Sequence, residues 1–300
     1  MTECERLINE GFINAEFLLE ETRDDYIIST EMKKVWAIEL DLLARFAEMC
    51  EKHNLKYWVC YGTLLGTIRH KGFIPWDDDM DVWMPREDYD KLCNLSASEW
   101  RKPYFFQTTL NDSDYYSAFA RLRNSNTTGV LVSKNNSCNN GIYIDIYPID
   151  GLNNNRTIQR IRSFIVKARN VSAHAYLYNI NPHPIARAIN KILHSPLVNY
   201  DVKKTYIKNE ALEKKVSWLT ASDVGLVATG GYSFKRNIFK KSWFEKTQWM
   251  PFEFLIVPVP GGYDNILKIQ YGDYMKFPPK EKRGLWHEFV FDPDTPYYEK

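Results

Sequence analysis

The chain has 300 residues, 44% of them hydrophobic and 15% aromatic, enough apolar material for one large domain or two small ones. Thirty-nine basic residues against thirty-eight acidic ones leave a formal charge of +1, which offers no footprint for DNA or RNA, although a single nucleotide remains compatible. The five cysteines, Cys4, Cys50, Cys60, Cys93 and Cys138, are odd in number and scattered, which argues against a zinc site or disulfide framework and fits a reducing cytoplasm.

The N-terminus is acidic and no apolar stretch approaches the length needed to span a bilayer. A cytoplasmic protein is expected, working at the inner face of the membrane if its acceptor belongs to the cell envelope. Residues 1–30 read as an N-terminal helical segment, with Ile8, Phe12, Phe17 and Leu18 as a loose apolar stripe. From Thr30, taken as N-cap, Val35, Trp36, Ile38, Leu42, Leu43, Phe46, Met49 and Cys50 recur at helical spacing and predict an amphipathic helix to near His53. The aromatic and β-branched run from Tyr57 to Tyr61 predicts a buried strand leading into Gly62-Thr63 and a short helix to Arg69.

Lys71 to Asp78, with Gly72 and Pro75, reads as a loop, and the alternation of Asp79, Asp81 and Trp83 with Met80, Val82 and Met84 reads as a strand. Pro85 then opens a helix carrying Tyr89 and Leu92. Further strands are expected at Tyr104 to Thr109, Phe119 to Arg123 and Ile142 to Tyr147, so residues 31–151 form a mixed α/β core. Residues 152–300 continue the same domain, first helical and broken at Pro182, Pro184 and Pro196, then aromatic and partly strand-like, with a last helix closed by Gly272.

Asp77, Asp78, Asp79 and Asp81 put four carboxylates into five positions, and they repel unless a cation or strong donors compensate. On a strand Asp79 and Asp81 share a face, which directs both toward one hard cation, magnesium first and manganese as an alternative. Gly62-Thr63, directly after a strand and at a helix start, can hold a phosphate on backbone N–H groups and a hydroxyl. Arg69 is the candidate cation for a pyrophosphate because its planar fork matches phosphate oxygens, with Lys71 and Arg121 behind it. Asp77 or Asp78 is the candidate base, and spacing does not choose between them. Trp76, an aromatic beside the acids, is a candidate face for a quaternary ammonium.

Strand, Gly-Thr, helix, loop and Asp-hydrophobic-Asp-hydrophobic together resemble the nucleotidyltransferase fold: a mixed sheet flanked by helices, here with a helical insertion and a C-terminal extension. In that fold a third carboxylate comes from a later strand, and Asp145, set in the apolar run Ile142-Tyr143-Ile144-Asp145-Ile146-Tyr147, is chosen for it ahead of Asp150.

The run Tyr61-Gly62-Thr63-Leu64-Leu65-Gly66-Thr67-Ile68-Arg69-His70-Lys71-Gly72-Phe73-Ile74-Pro75-Trp76-Asp77-Asp78-Asp79-Met80-Asp81-Val82, continuing to Met84-Pro85-Arg86-Glu87-Asp88-Tyr89, resembles the signature of the LicD family. So do Ile144-Asp145-Ile146-Tyr147-Pro148-Ile149-Asp150-Gly151 and the tail Tyr271-Gly272-Asp273-Tyr274-Met275 with Pro278-Pro279-Lys280-Glu281-Lys282-Arg283 and His287. The resemblance implies transfer of phosphorylcholine from CDP-choline to a sugar of teichoic acid or lipopolysaccharide, or of ribitol phosphate from CDP-ribitol as in fukutin-type relatives. It implies a CDP-linked donor, a glycan or lipid-linked oligosaccharide acceptor, a metal on Asp79, Asp81 and Asp145, and Arg283 and His287 closing over the donor.

The same residues admit other readings. A calcium loop on Asp77, Asp79 and Asp81 would need glycine where Val82 stands. Asp145 could be a buried residue satisfied by backbone donors, and Asp150 before Gly151 a turn residue. The pairs Lys203-Lys204, Lys214-Lys215 and Lys240-Lys241 read as solvated faces, one of which could assist docking to an anionic membrane. A glycosyltransferase using Asp-x-Asp, or a non-catalytic glycan-binding protein, stands as the alternative function.

Overall fold

The structure is a computed structural model that describes residues 1–131, 137–178, 191–192, 200–226, 234–284 and 289–299. Pro182, Pro184, Pro196, Trp286 and His287 lie outside the described residues.

The N-terminal segment holds an α-helix, α1 (Glu3–Asn9), capped by Thr2, a 3-10 turn at Ala15–Leu18, and then a hairpin of β1 (Glu21–Arg23) and β2 (Tyr26–Ile28) where the sequence suggested helix alone. Asp24 and Asp25 turn the hairpin at φ 51° and 59°, the left-handed region that aspartate tolerates better than most residues. Arg23 ties it to Glu253 across the molecule.

Helix α2 (Thr30–Lys52) follows the predicted stripe, but Ser29 rather than Thr30 caps it, its hydroxyl accepting from the Met32 N–H at 3.2 Å. Leu42, Leu43 and Phe46 are fully buried on it; truncating Phe46 to alanine would cost about 3–5 kcal/mol. Next come β3 (Trp58–Val59), α3 (Tyr61–Arg69), β4 (Asp81–Pro85), α4 (Arg86–Cys93), β5 (Tyr104–Gln107), β6 (Ala120–Asn124), β7 (Thr128–Leu131) and β8 (Ile142–Gly151). Helices α5 (Arg156–Tyr178) and α6 (Val202–Glu213) precede β9 (Asp223–Gly225), β10 (Ile238–Lys240), β11 (Thr247–Phe252) and β12 (Leu255–Pro260). Helix α7 (Tyr263–Tyr271) ends at Gly272, which has φ 72° and donates its N–H to the Lys268 carbonyl; β13 (Phe289–Asp292) returns to pair with β7.

The main sheet is mixed, as the alternating helix and strand signals require. Its spine is β8, which pairs in parallel with β4 and antiparallel with β6, while its last two residues, Asp150 and Gly151, pair with β9. Beyond β4 lies β3, beyond β6 lies β5, and beyond β9 lies β10. The β4–β8 register sets Asp81 beside Asp145 and Trp83 beside Tyr147. In-register neighbours point the same way, so the period of two puts these four on one face and Val82, Met84, Ile144 and Ile146 on the other. One apolar cluster joins that second set to α2, α3, β3 and β12.

Candidate active site

Strand β4 begins at Asp81, not at Asp79 as the alternation suggested; Asp79 belongs to the loop just before it. The two residues therefore do not share a strand face, and what joins Asp81 to a second ligand is the neighbouring strand. Asp81 and Asp145 are direct partners in the parallel pair, with the Asp145 N–H donating to the Met80 carbonyl at 2.9 Å. Adjacent strands lie about 4.8 Å apart, so two carboxylates on one face of such a pair are within reach of a single ion.

Asp81 is 6% exposed and its Oδ1 is buried without a hydrogen-bond partner. Burial raises its pKa well above the usual carboxylate range, repulsion from Asp79, Asp145 and Asp77 adds to this, and Arg121 opposes it. Asp77 is raised in the same way, by burial and then by Asp79 and Asp78. Each of Asp77, Asp78 and Asp79 presents an oxygen within 4.8 Å of the others. Burying this much like charge is unfavourable without a compensating cation. The donor set is all carboxylate oxygen, the chemistry a hard divalent ion prefers, and among the described residues the trio whose oxygens gather closely is Asp77, Asp78 and Asp79, whereas the sequence pointed to Asp79 with Asp81 and Asp145.

Asp145 is held from the side. Arg121 donates from Nε to its Oδ1 at 2.6 Å and from Nη2 to Oδ2 at 3.5 Å, and the Tyr147 hydroxyl donates to Oδ2 at 3.1 Å. The Arg121 guanidinium lies 3.7 Å from the Tyr143 ring centroid, with Tyr115 and Phe119 both at 5.7 Å. Arg121, proposed from the sequence as a substrate cation, thus fixes a metal-ligand candidate in place. Asp150, the alternative third carboxylate, forms a buried bidentate pair with Arg86 at 2.7 and 2.9 Å, so its two oxygens are already committed.

Gly62 and Thr63 both serve the acidic loop. A Cβ on Gly62 would collide with Asp77 Oδ2, so glycine lets that carboxylate lie against the start of α3. The Thr63 hydroxyl accepts the Asp81 N–H at 2.8 Å and fixes the first residue of β4. Gly62 and Thr63 lie in the first turn of α3, where backbone N–H groups have no intrahelical acceptor.

The remaining candidates are elsewhere. Arg69, at the far end of α3, donates to the Tyr274 carbonyl at 2.8 Å and to His70 at 2.9 Å, and it stacks on Phe277. Its charge still acts on Asp77. Trp76 is 3% exposed and carries the Arg283 guanidinium 4.9 Å from its ring centroid, so a protein cation takes the face expected for an ammonium ligand. Arg283 in turn donates to the carbonyls of Pro278 and Asp24. Lys71 is exposed at φ 57°, and its carbonyl accepts the Glu253 N–H.

One group at the site escaped the sequence reading. Glu39 of α2 is 1% exposed, its Oε2 has no hydrogen-bond partner, and its pKa is raised well above normal by burial and then by Asp79, Asp78, Asp77 and Asp81. One turn earlier, the Trp36 indole N–H donates to the Asp77 carbonyl at 3.3 Å. An acid at a core-facing position of an otherwise apolar stripe was the available signal.

A strand running into a Gly-Thr helix start, an acidic loop and aspartates paired across a mixed sheet make up a nucleotidyltransferase-type domain. Residues 54–184 match the family model described as LicD/FKTN/FKRP, nucleotidyltransferase domain. The chain is 28% identical over 255 residues to the lipopolysaccharide cholinephosphotransferase LicD of Haemophilus influenzae, an alignment covering 83% of this chain and 92% of that protein. An uncharacterized protein of Rickettsia prowazekii is 34% identical over 89 residues, 27% of this chain and 34% of its own length. One from Rickettsia typhi is 54% identical over 41 residues, 14% of this chain and 13% of its own. Over these residues the chain is similar to the LicD family.

Proposed function

We propose that this chain transfers a phosphorylated small group, phosphorylcholine first among the candidates, from a CDP-linked donor to a sugar hydroxyl of a cell-surface glycan or its lipid-linked precursor. The observation that carries the reading is the in-register pair Asp81 and Asp145, with a buried Asp81 oxygen left without a partner beside the acidic loop. The alignment with a cholinephosphotransferase over most of both chains supports the choice of donor head group.

Asp79, Asp81 and Asp145 would hold magnesium or manganese, which when bound neutralises charge on the phosphoryl oxygens and the departing CMP. The first-turn N–H groups of α3 hold donor phosphate. Thr63 fixes Asp81, and Arg121 with Tyr147 fixes Asp145. A sugar hydroxyl attacks the phosphorus bearing the head group, the bond to the CMP oxygen breaks, and the hydroxyl proton passes to Asp77 or Asp78.

Screening CDP-choline, CDP-ribitol, CDP-glycerol and CDP-ethanolamine with a glycan acceptor tests the reading. CMP should appear from at least one donor, and chelator or Asp81→Asn should abolish it. Release of UDP or GDP from a nucleotide sugar, with no CMP from any CDP donor, would assign the site to a glycosyltransferase.

A further inference from the structure

Helix α5 carries Arg156, Arg160, Arg162, Lys167 and Arg169 and no acidic residue in 23 positions. Its inner face is ordinary: Gln159, Arg162, Val166 and Ala173 are buried, and Val166 joins Leu152, Leu212 and Ile238 in a small apolar cluster. Its outer face is not. Ile161, Phe164 and Val171 are 56%, 73% and 48% exposed, and with Ala168 they follow one another at steps of three, four and three residues, which makes one continuous stripe on a helix. Arg160 and Lys167, seven residues apart and both exposed, flank that stripe on one side, and neither makes an ion pair among the described residues.

Beside the stripe a groove of about 300 Å³ runs between α5 and α6, lined by Ala168, Arg169, Ser172, Tyr200, Thr205 and Lys208. Helix α6 adds Lys203 and Lys204. An exposed aromatic and aliphatic ridge bordered by unpaired bases is the pattern of a helix that lies in a membrane interface, apolar face down and cations toward anionic headgroups. No helix of the described residues is long and apolar enough to cross a bilayer, so the contact is in plane.

We propose that the outer face of α5, with the basic rim of α6, docks on an anionic bilayer surface. Charge decides among occupants. A second copy would set the same acid-free basic helix against itself, which repels. The overall charge of +1 means that attraction must come from this local cluster, not from the whole chain. The inference stands on α5 and α6 alone and does not depend on the acidic site.

Flotation of the full chain with vesicles tests it, comparing phosphatidylcholine alone with phosphatidylcholine mixed with phosphatidylglycerol. Binding is expected only to the mixed vesicles and should be lost at high salt. Phe164→Asp should weaken partitioning at least about tenfold, and Arg160→Glu with Lys167→Glu by a similar factor, with circular dichroism and melting unchanged because these side chains are exposed. No flotation with anionic vesicles at low salt would overturn the proposal, as would equal flotation with phosphatidylcholine alone. Light scattering that finds a dimer dissolved by Phe164→Asp would instead assign the face to a second copy.

Discussion

Gly62 lies directly against the carboxylate of Asp77, so closely that a single added methyl would overlap an oxygen. Gly62→Ala should push the acidic loop off the start of α3. We expect CMP release to fall at least about tenfold for a stability loss of about 1–3 kcal/mol, read by initial rates and thermal melting. An unchanged rate would mean that the loop's position does not matter to turnover.

Arg121 orients Asp145 rather than facing solvent. Arg121→Ala should weaken apparent magnesium affinity or activity about 10–100-fold, the usual effect of removing a group that orients a ligand. A magnesium titration of the initial rate checks this; if only donor KM rises, Arg121 contacts the donor instead.

Arg69 ties α3 to the C-terminal segment through the Tyr274 carbonyl and Phe277. Arg69→Lys keeps the charge and loses the fork, so it should cost about 1–3 kcal/mol of stability and leave donor KM nearly unchanged. A tenfold rise in donor KM with normal melting would restore the pyrophosphate role suggested by sequence.

Without cation, stability should fall as pH rises. Glu39, Asp77 and Asp81 all have raised folded pKa values, first from burial and then from acidic neighbours. Such a carboxyl holds more protons folded than unfolded between its two pKa values. Its stabilising contribution is complete below about pH 4, the unfolded value, and is lost as pH rises toward the folded one. Each group contributes a slope of up to about 1.4 kcal/mol per pH unit. Glu213, pushed up to about 8 by burial and Asp150, adds a term of the same sign beside Arg86. Magnesium should flatten the site's share and leave that of Glu213, and Glu39→Gln should raise the melting temperature of the chelated protein at neutral pH. Melting from pH 5 to 8, with and without chelator, separates the terms.

Part of the candidate site's arrangement is legible in residue order because its signals are local. Asp145 stood out as a charge inside an apolar strand, and β8 does set it beside Asp81. The boundary of β4 was missed by two residues because alternation continues through Asp79 although pairing begins at Asp81. The N-terminal hairpin turns on Asp24 and Asp25, not on glycine, which hid it behind a weak helical stripe. Non-local packing was beyond sequence: the path of the loop decides that Asp77 meets Gly62, that Arg283 covers Trp76, and that Glu39 sits among the aspartates.

Calorimetric titration of magnesium or manganese into the donor-free protein, alongside Asp81→Asn and Asp145→Asn, tests the central claim most directly. Saturable binding in the wild type, at least about tenfold weaker in each variant, is the predicted result. Binding of equal affinity in all three proteins would contradict a metal centre built across β4 and β8.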